Sequence, residues 1–333
     1  MAAYTTIDDP ESYFQTELWG GTDSSHQINF SGTNDMQPDF VWIKERGTNS
    51  HWLFDSVRGV QKYLHSNNEN AEATDSNSLT AFGSDSFTIG SQGAINAGGV
   101  NFIGWSWKES ATAGFDILSY SGTGSARTQA HSLSAKPNWI IVKKTSASGG
   151  SWFVYLTGGV PATNYMKLNE TGATSASSSM WNNTEPTSSV FSLGTSSDVN
   201  GDGVTYVAYL WRSVQGFSKF GSFIGNGNAD GPMVYTGFSP AYVVVKNAGG
   251  DEAWNVWNNK TPGYNVANKN LQPNSTVAEQ TSSAGVKEID FLSNGFKIRG
   301  SNTELNQSGN THIYMAFAEA PLVNSNGVPC TAR

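Results

Sequence analysis

Cysteine is almost missing: Cys330 is the only one among 333 residues. A lone thiol near the end of the chain excludes an internal disulfide framework. The chain therefore reads as made in a reducing cytosol, with stability outside a cell reached without covalent staples. Charge is also scarce: Asp, Glu, Lys and Arg make up 14% of the residues and leave a net charge of −8. Phosphate backbones are bound by clustered Lys and Arg, so nucleic acid is not an expected partner. No apolar run approaches the roughly 18 residues of a membrane helix, and the start lacks a basic-then-apolar leader, so no membrane insertion is expected. Histidine occurs at His26, His51, His65, His131 and His312, without metal-ligand spacing. No Gly-rich loop follows a strand and opens a helix, which leaves nucleotide binding unsupported and no cofactor expected. What is abundant is aromatic and small: 12% Phe, Trp and Tyr, including 11 Trp, with 36 Gly and many Ser, Thr and Asn. That mixture disfavours long helices and favours short strands joined by polar turns.

One stretch occurs three times. Pro38-Asp-Phe-Val-Trp-Ile-Lys44 returns as Pro137-Asn-Trp-Ile-Ile-Val-Lys143 and as Pro240-Ala-Tyr-Val-Val-Val-Lys246. The offsets, 137 − 38 = 99 and 240 − 137 = 103, define one unit in three copies. Consecutive aromatic and β-branched residues behind a proline predict a short strand that is apolar on both faces and central in a sheet. The closing lysine is expected to mark where that strand leaves the core.

The other segments follow the same triplication. Opening strands are expected from Phe14, Phe115 and Phe220, and Trp-led strands at Trp52-Leu53-Phe54, Trp152-Phe153-Val154 and Trp254-Asn255-Val256. Polar segments around Leu64, Leu168 and Leu271 come next, then half-buried strands at Phe87-Thr-Ile89, Phe191-Ser-Leu193 and Phe296-Lys-Ile298. The last strand reads Phe102-Ile-Gly-Trp105, Tyr206-Val-Ala-Tyr209 and Tyr314-Met-Ala-Phe317, with a small third residue expected to admit a bulky neighbour from the facing sheet. Each last strand follows an Asn-x-x-Gly turn, from Asn96, Asn200 or Asn306, that predicts a hairpin. The fold class is all-β: three tandem antiparallel β-sandwich repeats, for which a jelly-roll variant would read the same way. The boundaries are a polar N-terminal arm at 1–12, repeats at 13–110, 111–215 and 216–322, and a tail at 323–333. Packing of the three repeats as an internal pseudo-trimer is one arrangement the repetition allows.

Candidate chemistry is thin. Asp198-Val-Asn200-Gly-Asp202-Gly203 carries the oxygen ligands and glycine of the first half of a calcium loop, but Tyr209 stands where the twelfth-position Glu belongs. The equivalent turns lack the carboxylates, which favours a plain turn. His51, Asp55 and Ser56 are close in sequence, yet a nucleophilic triad needs convergence in space and an oxyanion hole. No acidic residue recurs in all three repeats to mark a glycosidase pair. The Trp residues at repeated positions, Trp42, Trp52, Trp105, Trp139, Trp152 and Trp254, are expected in the core. Trp181 and Tyr264 fall in polar segments rich in Asn and Ser, where an exposed ring suits stacking on a sugar face.

Several runs resemble a repeat family of marine bacteriophage structural proteins. They are Tyr4-Thr-Thr-Ile-Asp-Asp-Pro10, the Pro38–Lys44 run, Asp55-Ser-Val-Arg-Gly59, Phe238-Ser-Pro-Ala-Tyr242, Asp290-Phe-Leu-Ser-Asn-Gly-Phe296 and Ile313-Tyr-Met-Ala-Phe-Ala-Glu-Ala-Pro321. The resemblance implies a virion component, labelled tail fibre or virion structural protein, that is not an enzyme. It carries over no catalytic or binding residue. The expected function is a tail-fibre or spike subunit that attaches to a host-surface glycan or protein receptor, or anchors such a fibre. Other virion proteins would be its partners and a homo-oligomer, trimeric as in related fibres, its assembly. A capsid-decorating or head–tail subunit and a polysaccharide depolymerase are the alternatives. The N-terminal arm is expected to be peripheral and free to dock on another virion protein.

Overall fold

The apolar residues of the proline-led strands are buried on both faces of each strand. The computed structural model, which describes residues 3–261 and 263–330, shows how. Each repeat builds one four-stranded antiparallel core sheet in the same order: opening, closing, proline-led, Trp-led. In the first repeat these strands are Phe14–Gly20, Asn101–Trp107, Phe40–Glu45 and His51–Asp55. In the second they are Phe115–Ser121, Thr205–Trp211, Trp139–Lys144 and Trp152–Leu156, and the sheet continues into Asn164–Lys167 and Ser175–Ala176. In the third they are Ser218–Ile224, Thr311–Pro321, Phe238–Asn247 and Asn255–Asn258. A smaller outer sheet covers one face of each. Its strands include His26–Asn29 with Ser86–Ile89, Arg127–Ala130 with Val190–Leu193, and Met233–Tyr235 with Gly295–Ile298.

The period of two then divides the proline-led strands. Val41 and Ile43 point into the first repeat's own sandwich, as do Ile140 and Val142 in the second and Val243 and Val245 in the third. The alternate residues, Phe40 and Trp42, Trp139 and Ile141, Tyr242 and Val244, enter a single core shared by all three repeats. The chain is therefore an internal pseudo-trimer. Three sandwiches turn the outer faces of their core sheets toward one another around an aromatic centre. There Phe40 lies 4.6 Å from Tyr209, Phe14 lies 5.1 Å from Phe317, and Trp139 lies 6.1 Å from Trp254, measured between ring centres.

Two rings of hydrogen bonds close this arrangement. The ladder pairs Ile43 with Trp52, Val142 with Phe153 and Val245 with Asn255, which makes His51, Trp152 and Trp254 equivalent. Trp152 Nε1 donates to the His65 carbonyl at 2.9 Å, Trp254 Nε1 donates to the Lys167 carbonyl at 3.0 Å, and His51 Nε2 donates to the Gln272 carbonyl at 2.9 Å. The acceptors are equivalent too, each following the residue paired with the middle of the Trp-led strand: Leu64, Met166 or Leu271. In the second ring, the amides of Glu72, Thr174 and Glu279 donate to the carbonyls of Thr145, Ala248 and Arg46, at 2.9, 3.0 and 3.0 Å. The direction runs from repeat one to two, two to three, and three back to one. An open solenoid would make the first two bonds of each ring and leave the third unmade.

The register corrects four equivalences. In the opening strands Ser218, and not Phe220, matches Phe14 and Phe115. The Trp-led alignment is off by one residue in the first repeat, where Trp52 turns into that repeat's own core and His51 takes the junction place. The smaller His is compensated: Trp42 stands where the other repeats have Ile141 and Val244, and its Nε1 donates to His51 Nδ1 at 2.9 Å. Leu168 gives way to Met166. In the closing strands Gly104 and Ala208 match Tyr314, because Ile103, Val207 and Ile313 pair with the three lysines. The small residue admits two rings: a Cβ at Gly104 would meet Trp19 of the adjacent opening strand at 3.0 Å and Phe87 of the facing outer sheet at 3.5 Å. The third repeat reverses the pair, with Gly221 beside the Tyr314 ring.

The arm is corrected as well. Ile7 is buried in the shared core, Thr5 Oγ1 donates to Gln215 O at 2.7 Å, and Asp8 accepts from Ser325 of the tail. Its described residues are a structural part of the ring.

Candidate functional site

The three lysines that close the proline-led strands do not leave the core. Lys44, Lys143 and Lys246 are fully buried, and each ammonium donates to carbonyls of the loop that follows: Gly47, Gly150 and Gly250. Burial pushes each down from the usual lysine value to about 8. The ammonium meets backbone carbonyls of a turning loop, two at Lys44 and at Lys246 and the Gly150 carbonyl at Lys143, so the lysine organises a loop and presents no reactive amine to solvent.

The Asn-x-x-Gly segments are not hairpins. In each repeat a one-turn helix, Gly93–Asn96, Ser197–Asn200 or Thr303–Asn306, carries the chain from the outer sheet to the closing strand. Its last residue is a fully buried asparagine. Asn200 Nδ2 donates to Ser125 O and Gly194 O at 2.7 and 2.8 Å, and its Oδ1 accepts from Thr123 N and Arg127 Nε. Asn96 and Asn306 make the same clamp, to Ser24 O and Gly90 O and to Asn228 O and Gly300 O. The chain beneath comes so close that a Cβ at Gly21, Gly122 or Gly225 would overlap backbone at 2.0 to 2.3 Å. At the weak calcium candidate Asp198, Asn200 and Asp202 the asparagine oxygen is occupied by two donors, and the same clamp forms in the first repeat, whose helical turn has no carboxylate. Among the described residues no three His, Cys, Asp or Glu side chains are grouped to hold a metal ion.

His51, Asp55 and Ser56 do not form a triad. His51 is neutral, held well below the usual histidine value by burial and by the Lys44 charge, and serves the junction ring. Asp55 is fully buried and accepts from Arg58 Nε at 2.5 Å, from Arg58 N at 2.8 Å, and from the Tyr209 hydroxyl of the second repeat at 2.7 Å. Burial works against the Arg58 charge, but Asp55, with Tyr209 and Glu72, more than offsets it and raises the guanidinium's pKa. The Asp-Ser-Val-Arg-Gly run is thus a junction device between repeats one and two. Sequence reading passed over it because Tyr209 is 154 residues away.

The two candidate sugar-stacking rings separate sharply. Trp181 is only 2% exposed: it ends the helical turn Ser178–Trp181 and packs with Tyr155 in the second sandwich. An apolar ring beside Met180 was drawn into the core despite its polar neighbours, so Trp181 offers no face to a ligand. Tyr264 is 74% exposed. It stands over a cavity of about 240 Å³ lined by Asn258, Asn259, Asn265, Ala267 and Phe291. Described residues on either side of Tyr264 are hydrogen-bonded to the backbone. Asn265 exchanges two hydrogen bonds with the Phe291 backbone at 2.7 and 2.9 Å, and Asn258 Oδ1 accepts from Lys260 N and Thr261 N at 3.0 Å. Asn259 Oδ1 is buried without a donor. A flat exposed ring, an apolar floor and a rim of carboxamides can bind a neutral polyhydroxylated ring by stacking and hydrogen bonds.

A family profile matches residues 9–321, from within the N-terminal arm to the last residue of the third closing strand. The chain belongs to the family described as "Domain of unknown function (DUF7483)". The match covers all three repeats. No curated protein and no solved structure matches the chain.

Proposed function

We propose that this chain is a non-enzymatic component of a bacteriophage particle, a tail-fibre or spike subunit that attaches to a glycan on the host surface. The observation that carries the reading is the pairing of a braced scaffold with an exposed aromatic site. Three sandwiches share one core and close on themselves, while Tyr264 projects beside a small carboxamide-rimmed cavity. Such a scaffold holds a loop in place without a covalent staple, which is what a particle protein exposed to the environment needs. The likeness to phage structural proteins supports the same setting. The buried ionisable groups described above each have a structural partner at a junction or loop, which favours display over turnover. Several copies on one particle would raise a weak single-site affinity by avidity.

A glycan array probed with the purified chain tests the proposal. Saturable binding that falls on Tyr264→Ala, with no release of reducing sugar, is the expected outcome. Sugar release would favour a depolymerase. Absence of glycan binding, together with labelling of the capsid shell in particle imaging, would favour a capsid or head–tail subunit.

A further inference from the structure

A wider depression than the Tyr264 cavity lies where the N-terminal arm crosses the link between the second and third repeats. Two cavities of about 410 and 290 Å³ adjoin there and share Tyr4, Ser213 and Gln215. Although the chain carries a net charge of −8, neither lining contains a carboxylate, and the two together contain the cations Lys219 and Arg212. Lys219 Nζ donates to Tyr235 O at 2.8 Å and lies 5.3 Å from the centre of the Tyr235 ring, so its charge is fixed against the wall. Tyr235 is half exposed, on the edge strand Met233–Tyr235 of the third outer sheet. Across from it the Tyr4 hydroxyl donates to Gly237 O at 2.8 Å and stands 3.4 Å from the Tyr235 hydroxyl. Burial, then the Tyr235 hydroxyl, push Tyr4 up to about 12, so it stays a hydrogen-bonding phenol at neutral pH. Gln215 stands exposed at the rim.

We infer that this groove binds a carboxylated sugar of an acidic polysaccharide, with the sugar ring on Tyr235, the carboxylate at Lys219, and ring hydroxyls at Tyr4 and Gln215. The chemistry selects this class. The tyrosine face supplies flat apolar area for a pyranose. A fixed ammonium in a wall free of competing carboxylates favours an anion and disfavours a cation. The phenol and carboxamide offer both donors and acceptors, as a ring bearing several hydroxyls requires. This site is built from different residues than the Tyr264 cavity and stands or falls separately from it.

Calorimetric titration of the full chain with oligogalacturonate, its fully methyl-esterified form, and polysialate tests the inference. The expected result is saturable binding of at least one acidic oligomer, weakening as salt is raised, with the neutral ester at least about tenfold weaker because a charge-assisted contact is lost. Lys219→Gln keeps a donor for the Tyr235 carbonyl and should lower acidic-oligomer affinity by about tenfold. Tyr235→Ala should lower it too, whereas Tyr264→Ala should leave it unchanged. Equal affinity for acid and ester, no binding of either acidic oligomer, or unaltered affinity in Lys219→Gln would overturn the inference. Should Tyr235→Ala fail to fold, Lys219→Gln, checked by its urea midpoint, decides alone.

Discussion

Trp254→Phe removes one bond of the first junction ring and little else. The indole is fully buried and its Nε1 donates to the Lys167 carbonyl at 3.0 Å. Phenylalanine leaves that carbonyl without a donor, which costs about 1–3 kcal/mol. It also removes two ring carbons, worth about 1.5 kcal/mol at ~0.8 kcal/mol per buried CH₂. The expected loss is therefore about 2.5–4.5 kcal/mol in urea unfolding. Trp105 supplies an internal control, because it is equally buried in the shared core but its Nε1 has no partner. Trp105→Phe loses the same carbons and relieves an unpaired donor, so it should cost about 1.5 kcal/mol or less. The difference between the two variants isolates the junction bond. Trp152→Phe should resemble Trp254→Phe, since it donates to the equivalent His65 carbonyl at 2.9 Å. All should unfold in one transition with an unchanged slope against urea. Equal losses in Trp254→Phe and Trp105→Phe, or a separate early transition for the third repeat, would refute the reasoning.

Further predictions follow from the buried charges and the two candidate rings. Asp55→Ala strands Arg58 and the Tyr209 hydroxyl in a dry junction and should cost about 3–5 kcal/mol, measured by urea unfolding, whereas surface Asp202→Ala should cost under about 0.5 kcal/mol. The three core lysines bind protons less tightly folded, at about 8, than unfolded, at 10.5. The unfolded chain therefore holds more protons between those values, and their penalty, constant below pH 8, should lift as pH rises through that window. The urea midpoint should rise from pH 7.5 to 9.5 on their account, and Lys246→Met should reduce that rise by about a third. Trp181→Ala should lower stability by about 3–5 kcal/mol without a specific effect on glycan binding, and Tyr264→Ala should do the reverse, as read by paired unfolding and glycan-array measurements.

Much of this architecture was legible in the residues. The proline-led run located the central strand of every core sheet, and its apolar character on both faces was the sign of two burial surfaces. One surface belongs to the repeat and the other to the shared core, and one repeat's pattern cannot say what covers its second face. What sequence obscured was register. A His in place of Trp at position 51 hid the junction ring, because the compensating Trp42 lies on another strand and reads as ordinary core. The lysines misled for a different reason: ammonium groups are rarely buried, and only the turning carbonyls of Gly47, Gly150 and Gly250 make the position tolerable. For the candidate rings, polar neighbours were a poor guide. Trp181 and Tyr264 have similar flanks, and the difference is that a helical turn carries Trp181 inward beside Met180.

Closure from the third repeat to the first is the claim on which the rest depends. Native-state hydrogen exchange at the Glu279 amide, which donates to Arg46 O at 3.0 Å, tests it most directly. A closed ring predicts protection at Glu279 comparable to that at Glu72 and Thr174, the equivalent amides of the other two junctions. Rapid exchange at Glu279 alone, with the other two protected, would mean an open array and would contradict the account.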